Sequence, residues 1–280
     1  MSRIPFGVRQ LDTTIQGGAP PGSVVLLAGE GGAGSRDFVH TSALLNALAT
    51  TDEDLFDIYY GDLAANATPP EEVYYVSFTA SESRFAEEVS LTMDEEIVET
   101  GMDSITYCDL SEQYFHQSPI PREWYADRTG SIKDLRTRQE RDDILGTLGD
   151  LLAENAPGNL VVIDSLTDLV STAGRAQTLD WSDIAFLVKG LQKGASKWDG
   201  LILVHLNRET VTDTEYGQLV DGVTGTFEFQ WASGGSTRDR TLVVKQFRGV
   251  LSQIAAEDIV QFETEIGDDG FDISDVRKIR

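Results

Sequence analysis

Short apolar runs alternate along most of the chain with longer segments in which apolar residues recur every three or four positions. An apolar run of about four to eight residues bounded by glycine or proline indicates a buried strand, and the longer spacing indicates a helix. The pattern predicts strands at Ser23–Ala28, Val73–Phe78, Ile105–Cys108, Leu160–Ile163 and Leu201–Leu206. It predicts helices at Asp37–Leu48, Arg84–Thr100, Asp134–Glu154 and Trp181–Trp198.

After Gly217 the pattern changes to short β-rich runs, at Thr226–Trp231, Thr241–Phe247 and Ile259–Glu265. Strands that alternate with helices favour a parallel sheet, whereas successive strands favour antiparallel pairing. No flexible linker or internal repeat divides the sequence. We therefore predict one α/β domain over residues 1–280, with a mostly parallel sheet between helices and an antiparallel, β-rich C-terminal part.

Two segments interrupt this alternation. Residues 51–72 form an acidic stretch without a clear period, which we interpret as an irregular insertion. Residues 109–130 contain prolines, aromatic residues and His116, again without a period. Long irregular segments of compact domains are often functional or mobile, so we interpret 109–130 as a surface excursion. An insertion packed on the flank of the domain is the alternative for this segment.

Acidic residues dominate the charge of the chain. Asp and Glu number 47 against 22 Lys and Arg, which gives a net charge of -25. The acids are spread along the whole sequence, and lysine is scarce. Dispersed carboxylates of this kind resemble the surfaces of proteins from salt-accumulating halophilic archaea, where hydrated carboxylates maintain solubility and salt screens their repulsion. The resemblance concerns habitat rather than activity.

Composition also restricts the partners and the compartment. No apolar stretch reaches the roughly 18 residues of a membrane-spanning helix, so we expect no membrane insertion. The N-terminus lacks the apolar core of a signal peptide, and a single cysteine fits a reducing compartment, so we expect a cytoplasmic protein. The lack of a basic stretch with interleaved aromatic residues and of a separate DNA-binding domain argues against a nucleic-acid partner.

A glycine-rich loop follows the first predicted strand. A P-loop reads Gly-x-x-x-x-Gly-Lys-Ser/Thr between a strand and a helix; its backbone amides and lysine bind phosphate, and its hydroxyl binds Mg²⁺. Here both framing glycines are present, but Ser35 stands at the lysine position and Arg36 at the hydroxyl position. An ordinary glycine turn is the alternative. The candidate nucleotide-binding residues are Gly29, Gly31, Gly32, Ala33, Gly34, Ser35 and Arg36.

Other segments resemble, in order, the KaiC-like domains of the RecA superfamily. Such domains commonly begin with G-x-x-x-L-D followed by GGG-x-P-x-GS, continue with a strand that ends in an acidic residue, and carry a K-x-x-R-G or K-x-R-G strand. The matching segments here are Phe6–Asp12, Gly17–Ser23, Leu160–Leu169, Leu203–Glu209 and Lys245–Gly249. The resemblance spans nearly the whole chain and is more specific for fold than for activity.

The resemblance implies a RecA-like fold and several functional expectations. ATP and Mg²⁺ would be the cofactors, with Asp164 directed at the nucleotide and the metal. Lys245 and Arg248 would reach the nucleotide of a neighbouring subunit. Members of the family tend to associate edge to edge, often as hexamers, and commonly serve in signal transduction, so self-association and an unidentified protein partner are expected.

The sequence departs from an active member of the family at three places. The lysine is missing, and Arg36 either turns back to phosphate or projects into solvent. No Ser or Thr occupies the Mg²⁺ position. The glutamate pair that follows the second core strand is replaced by Thr79 and Ala80. Glu82 is the candidate catalytic substitute, with a plain first-turn helix residue as the alternative.

These losses favour a degenerate, non-hydrolysing protein that acts as a regulatory or assembly module, with ATP binding weak or lost. The first alternative is an unconventional ATPase that uses Arg36, Glu82 and Asp164. The second is a RecA-like nucleic-acid-binding protein. His205 is expected to fill or border the core. No zinc-binding set and no Ser/His/Asp arrangement is identifiable in the sequence.

Overall fold

A computed structural model describes residues 2–116, 118–125, 144–173, 179–232, 239–250 and 259–278. Its strands are β1 Ser23–Gly29, β2 Val73–Ser77, β3 Ile105–Asp109, β4 Leu160–Asp164, β5 Leu201–Asn207, β6 Gly225–Trp231, β7 Arg240–Phe247, β8 Ile259–Gly267 and β9 Gly270–Lys278. Its helices are α1 Arg9–Thr14, α2 Ser35–Thr51, α3 Glu53–Tyr59, α4 Glu82–Ser90, α5 Glu95–Met102, α6 Ser111–Phe115, α7 Ile144–Asn155, α8 Leu166–Thr172, α9 Trp181–Trp198 and α10 Asp213–Gly222.

The described strands form one sheet in the order β3-β2-β4-β5-β1-β6-β7-β8-β9. The first six strands in this order, from β3 at the edge to β6, are parallel to one another. Strands β6, β7, β8 and β9 pair antiparallel. This arrangement confirms the predicted α/β fold class, including its antiparallel C-terminal part. The carboxyl ends of β1, β4 and β5 lie side by side, which places the loops that follow them at one edge of the sheet.

Helices cover both faces of the sheet, so its central strand β1 is buried along all seven residues. Val25 and Leu27 point to the face that packs on α2, whereas Val24 and Leu26 point to the face that packs on α9. Successive side chains of a strand alternate between faces, and two covered faces require a continuous apolar run. The unbroken apolar sequence of β1 is therefore the direct consequence of its central position.

The predicted helix Arg84–Thr100 is two helices, α4 and α5. The amide of Asp94 donates to the carbonyl of Asp268 at 2.8 Å instead of continuing the helical ladder. Met93 forms a bridge with Asp269 in the same turn. A contact with the β8–β9 turn thus interrupts a helical pattern that is continuous in the sequence.

Several elements were missing from the sequence prediction. They are α1, α3, α6, α8, α10 and β9. The acidic segment 51–72 is not wholly irregular, because Asp52 caps α3 by accepting from the amide of Leu55. Capping boxes begin α8 and α10, at Ser165 with Asp168 and at Thr212 with Glu215. Such Ser/Thr-x-x-acid pairs were a visible signal for these two helices.

Parts of two predictions lie outside the described residues. Of the excursion 109–130, the structure describes α6 and a 3₁₀ turn at Arg122–Trp124, while 117 and 126–130 are outside. Of the helix predicted at Asp134–Glu154, it describes α7, and 134–143 are outside.

Asp12 fixes the turn that leads into the first strand. Its carboxylate accepts hydrogen bonds from the amide of Phe6 at 2.8 Å, the amide of Gly7 at 3.1 Å and the hydroxyl of Tyr60 at 3.1 Å. These contacts explain why an acidic residue closes the Phe6–Asp12 segment. Burial raises the pKa of the Asp12 carboxyl to about 7, against the lowering effect of its hydrogen bonds to Phe6, Tyr60 and Gly7.

The raised pKa of Asp12 predicts a pH-dependent stability. The unfolded chain ionises Asp12 near pH 4, whereas the folded chain keeps it protonated up to about pH 7. The folded state therefore binds more protons in this window, and its stability falls as pH rises, by at most about 4 kcal/mol. Urea unfolding of the wild type and Asp12→Asn at pH 5 and pH 7.5, in the same salt, measures this effect. Equal pH dependence in the two proteins would contradict it.

Candidate functional site

The glycine loop joins β1 to α2 at the edge where β4 and β5 also end. Gly32 and Gly34 adopt left-handed conformations, with φ of 76° and 100°. No side chain caps the N-terminus of α2 at Gly34. Left-handed glycines and an uncapped helix N-terminus are features of anion-binding loops. The loop has these two features of a P-loop, although the amides of Glu30 and Ala33 already donate to the carbonyls of Phe229 and Glu30.

Side chains from β6, from β7 and from the 3₁₀ turn after β5 contact the loop. The indole of Trp231 donates to the carbonyl of Gly31, and the guanidinium of Arg240 donates to the carbonyl of Gly32, each at 3.1 Å. The carboxylate of Glu209 accepts from the amide of Gly31 at 3.3 Å. One loop amide therefore already donates to a carboxylate, and the negative charge of that carboxylate would repel an incoming phosphate.

Asp164 is the centre of a buried polar network at the end of β4. One carboxylate oxygen accepts from Nδ1 of His205 at 2.8 Å and lies 3.4 Å from the guanidinium of Arg36. The other accepts from the hydroxyl of Tyr75 at 2.8 Å. Burial by itself would raise the pKa of the Asp164 carboxyl, but the bond from His205 and the nearby Arg36 hold it well below its usual range. Asp164 is therefore ionised, and both of its carboxylate oxygens have partners.

Arg36 follows neither of the two orientations expected from the sequence. Its side chain is 50% exposed, yet the guanidinium turns inward to Asp164 and lies 3.8 Å from Glu88. A guanidinium therefore stands beside the carboxylate for which the resemblance implied a metal.

Ser35 and His205 extend the network to the glycine loop. The hydroxyl of Ser35 lies 3.1 Å from Nε2 of His205, and the serine, the histidine and Asp164 are all buried. A Cβ added to Gly29 would lie 2.2 Å from the Ser35 hydroxyl, so glycine is required for this approach. The Ser35–His205–Asp164 arrangement was missed in the sequence. Its only signal was that all three residues lie at ends of elements that the strand order makes adjacent.

A small cleft of about 50 Å³ opens on the other side of Asp164. A cavity of this size holds a few water molecules. His40, which looked isolated in the sequence, lines it, and burial lowers the pKa of this histidine to about 4. The polar side chains around the cleft include Arg36, His40, Tyr75, Ser77, Glu88, Asp164 and Asp168.

Glu82 does not take the place of the missing glutamate pair. It is the exposed first residue of α4, after the cap Ser81, and belongs to the helix rather than the cleft. Thr79 and Ala80, by contrast, line the cleft. The glutamate that lines the cleft is Glu88, which Arg36 and Arg84 contact.

The two basic residues expected to reach a neighbouring subunit contact their own chain. The ammonium group of Lys245 lies 2.7 Å from the carboxylate of Glu228 and 4.6 Å from the ring centre of Tyr216. The guanidinium of Arg248 donates to the carbonyl of Asp221 at 3.0 Å. Either side chain would have to leave these partners to bind a nucleotide in another subunit.

A Mg²⁺ ion does not fit the residues present. Mg²⁺ requires oxygen ligands in a near-octahedral arrangement. Arg36 replaces the hydroxyl ligand, and both oxygens of Asp164 already accept hydrogen bonds or contact the guanidinium. Across the described ranges, no group of three His, Cys, Asp or Glu residues is placed to hold a metal. None of the described helices is long and apolar enough to cross a bilayer.

Comparisons with known proteins show which fold this chain has. No family model and no curated relative matches the sequence. The flagellar accessory protein FlaH from Methanocaldococcus jannaschii is similar in structure, with a TM-score of 0.57 and 13% identity over 98% of this chain and 99% of that chain. A KaiC-like protein from Pyrococcus horikoshii has a TM-score of 0.58 and 15% identity over the same shares. The resemblance seen in the sequence is therefore confirmed at the level of architecture: the chain has the fold of the KaiC-like protein and of FlaH.

Proposed function

We propose that this chain is a degenerate, non-hydrolysing KaiC-like protein that acts as a regulatory or assembly module and binds nucleotide weakly or not at all. The observation that carries the proposal is the contact between Arg36 and Asp164 at 3.4 Å. It places a guanidinium beside the acidic group of the site, whereas ATP hydrolysis depends on positioning and on electrostatic stabilisation of the transferred phosphate.

Two further features support weak nucleotide binding. The loop lacks the lysine that would neutralise the β- and γ-phosphates, and Arg36 is already shared between Asp164 and Glu88. Glu209 adds a negative charge at the amide of Gly31. The attractive groups that remain for phosphate are the N-terminus of α2 and the loop amides that do not already donate to Glu209 or to a backbone carbonyl.

Titration with labelled ATP at high salt, with and without Mg²⁺, together with phosphate release, tests this function. We expect weak or undetectable binding, no effect of Mg²⁺ or of a chelator, and no turnover. Robust turnover that Arg36→Ala abolishes would overturn the proposal and favour the unconventional ATPase.

Arg36→Thr provides a sharper version of the same test. It restores a hydroxyl at the metal position and removes the guanidinium from Asp164, so ATP binding is expected to become at least about tenfold tighter with Mg²⁺ than without it, a gain of about 1.4 kcal/mol. The matched control is Arg84→Thr, which removes an arginine that pairs with Glu87 and Glu88 on α4. Mg²⁺ dependence in the wild type, or an equal response in both variants, would contradict the role of Arg36.

Self-association, in the manner of edge-to-edge hexamers, and a place in signal transduction complete the proposed function. Both rest on the likeness in fold. The net charge of -25 supports a protein adapted to a salt-rich cytoplasm. Light scattering in high salt, with and without ATP, tests the association. A monomer under both conditions would contradict it.

A further inference from the structure

The Ser35–His205–Asp164 arrangement has the geometry of an activated serine. His205 Nδ1 is 2.8 Å from Asp164, and its Nε2 is 3.1 Å from the hydroxyl of Ser35. Because Asp164 is ionised and accepts from Nδ1, the proton of a neutral imidazole is held on that nitrogen. Nε2 is then an acceptor for the hydroxyl proton of Ser35. Such a chain of nucleophile, base and orienting carboxylate is the arrangement that activates serine for attack.

The placement in the fold also matches that chemistry. Ser35 begins a helix after a strand and a tight glycine loop, and Asp164 and His205 lie at or near the carboxyl ends of β4 and β5. The order along the chain is serine, aspartate, histidine, which is the order in α/β-hydrolases, where the nucleophile likewise lies between a strand and a helix. A P-loop that has lost its lysine therefore holds the same three groups in a similar topological position.

The loop supplies donors for the charge that such an attack creates. The N-terminus of α2 has no side-chain cap, so the first amides of the helix are available to an oxyanion. Ser35 is 7% exposed. This low exposure limits an acyl group at its hydroxyl to a small one.

We infer that Ser35 is a nucleophile for esters of small carboxylic acids, with His205 as its general base and Asp164 as the residue that positions His205. In the first step the Ser35 oxygen bonds to the ester carbonyl carbon, its proton moves to Nε2 of His205, and the departing alcohol takes that proton as the C–O bond breaks. Water then attacks the acyl-serine through the same base, which releases the acid and restores Ser35. This activity does not require nucleotide binding.

Reaction with a small alkyl fluorophosphonate tests the inference, with intact mass and peptide mapping as the readout. The full-length protein in high salt is expected to be modified at Ser35 with loss of fluoride, and to release p-nitrophenol from p-nitrophenyl acetate above the buffer rate. Ser35→Ala should abolish both reactions. His205→Asn should slow modification by about 100-fold or more, the usual contribution of a general base.

Ser42→Ala is the matched control. Ser42 lies on the same helix and is buried, and its hydroxyl has no hydrogen-bond partner within the described part of the chain. This variant should react like the wild type. Circular dichroism and urea unfolding establish that each variant is folded before its reactivity is compared. Absence of modification at Ser35 in the folded wild type, or unchanged ester hydrolysis in Ser35→Ala, would overturn the inference.

Discussion

Phe38→Ala is expected to destabilise the protein by about 4 kcal/mol, the usual cost of removing a fully buried phenylalanine ring. Phe38 projects from α2 into the core and is fully buried. Its ring centre lies 5.3 Å from that of Phe271 and 5.4 Å from that of Phe229. The ring therefore joins α2 to both the parallel and the antiparallel parts of the sheet, and backbone relaxation on one side cannot fill the cavity without disturbing the other.

Urea unfolding at fixed high salt measures this loss, because urea leaves the screening of the acidic surface unchanged. Phe186→Ala is the matched control, since that ring is 71% exposed on α9. Phe186→Ala should change the free energy of unfolding by no more than about 0.5 kcal/mol. A loss at Phe38 no larger than the loss at Phe186 would contradict the position assigned to the aromatic core.

Gly18→Ala is expected to destabilise the protein by about 3 kcal/mol or more. Gly18 has a φ of 111°, a conformation that residues with a Cβ rarely adopt. A Cβ at this position would lie 2.1 Å from the carbonyl oxygen of Ile4, closer than any real contact. Ile4 and Ala19 exchange two backbone hydrogen bonds of 2.8 Å beside it. The substitution must therefore separate the N-terminal segment from the turn before β1.

The control for this prediction is Gly190→Ala, in the exposed middle of α9. A Cβ there meets nothing within 4 Å, and the backbone is helical. This substitution should stabilise the protein by about 0.5–1 kcal/mol, because alanine favours the helix. Thermal and urea unfolding of the two variants should therefore shift in opposite directions. A shift in the same direction would show that the Gly17–Gly18 turn is not constrained as described.

The strands were predicted well because burial on both faces leaves a plain signal. Every residue of β1 and β4 is buried, and each appears in the sequence as an uninterrupted apolar run between polar or glycine boundaries. The helix Trp181–Trp198 was predicted with its observed bounds, since it carries one apolar face and the capping residue Asp180. Local periodicity and local caps determine these elements, so they can be predicted from the sequence alone.

Elements that depend on distant partners were predicted less well. The break between α4 and α5 depends on a bond from Asp94 to Asp268, which lies far along the chain. Nothing near Asp94 in the sequence indicates that bond. The first residue of α4, Glu82, was likewise a candidate for the site only because it follows β2, and the structure directs it to solvent.

The altered glycine loop was evident from the sequence, because the positions of Ser35 and Arg36 are defined by the glycines around them. What these two side chains do was decided by the tertiary structure. Strand order places β5 beside β1 and β4 beside β5, so Asp164 contacts both Arg36 and His205. Sequence spacing determines which residues are present in a loop, whereas the hydrogen bonds they make depend on which strands the sheet places next to it.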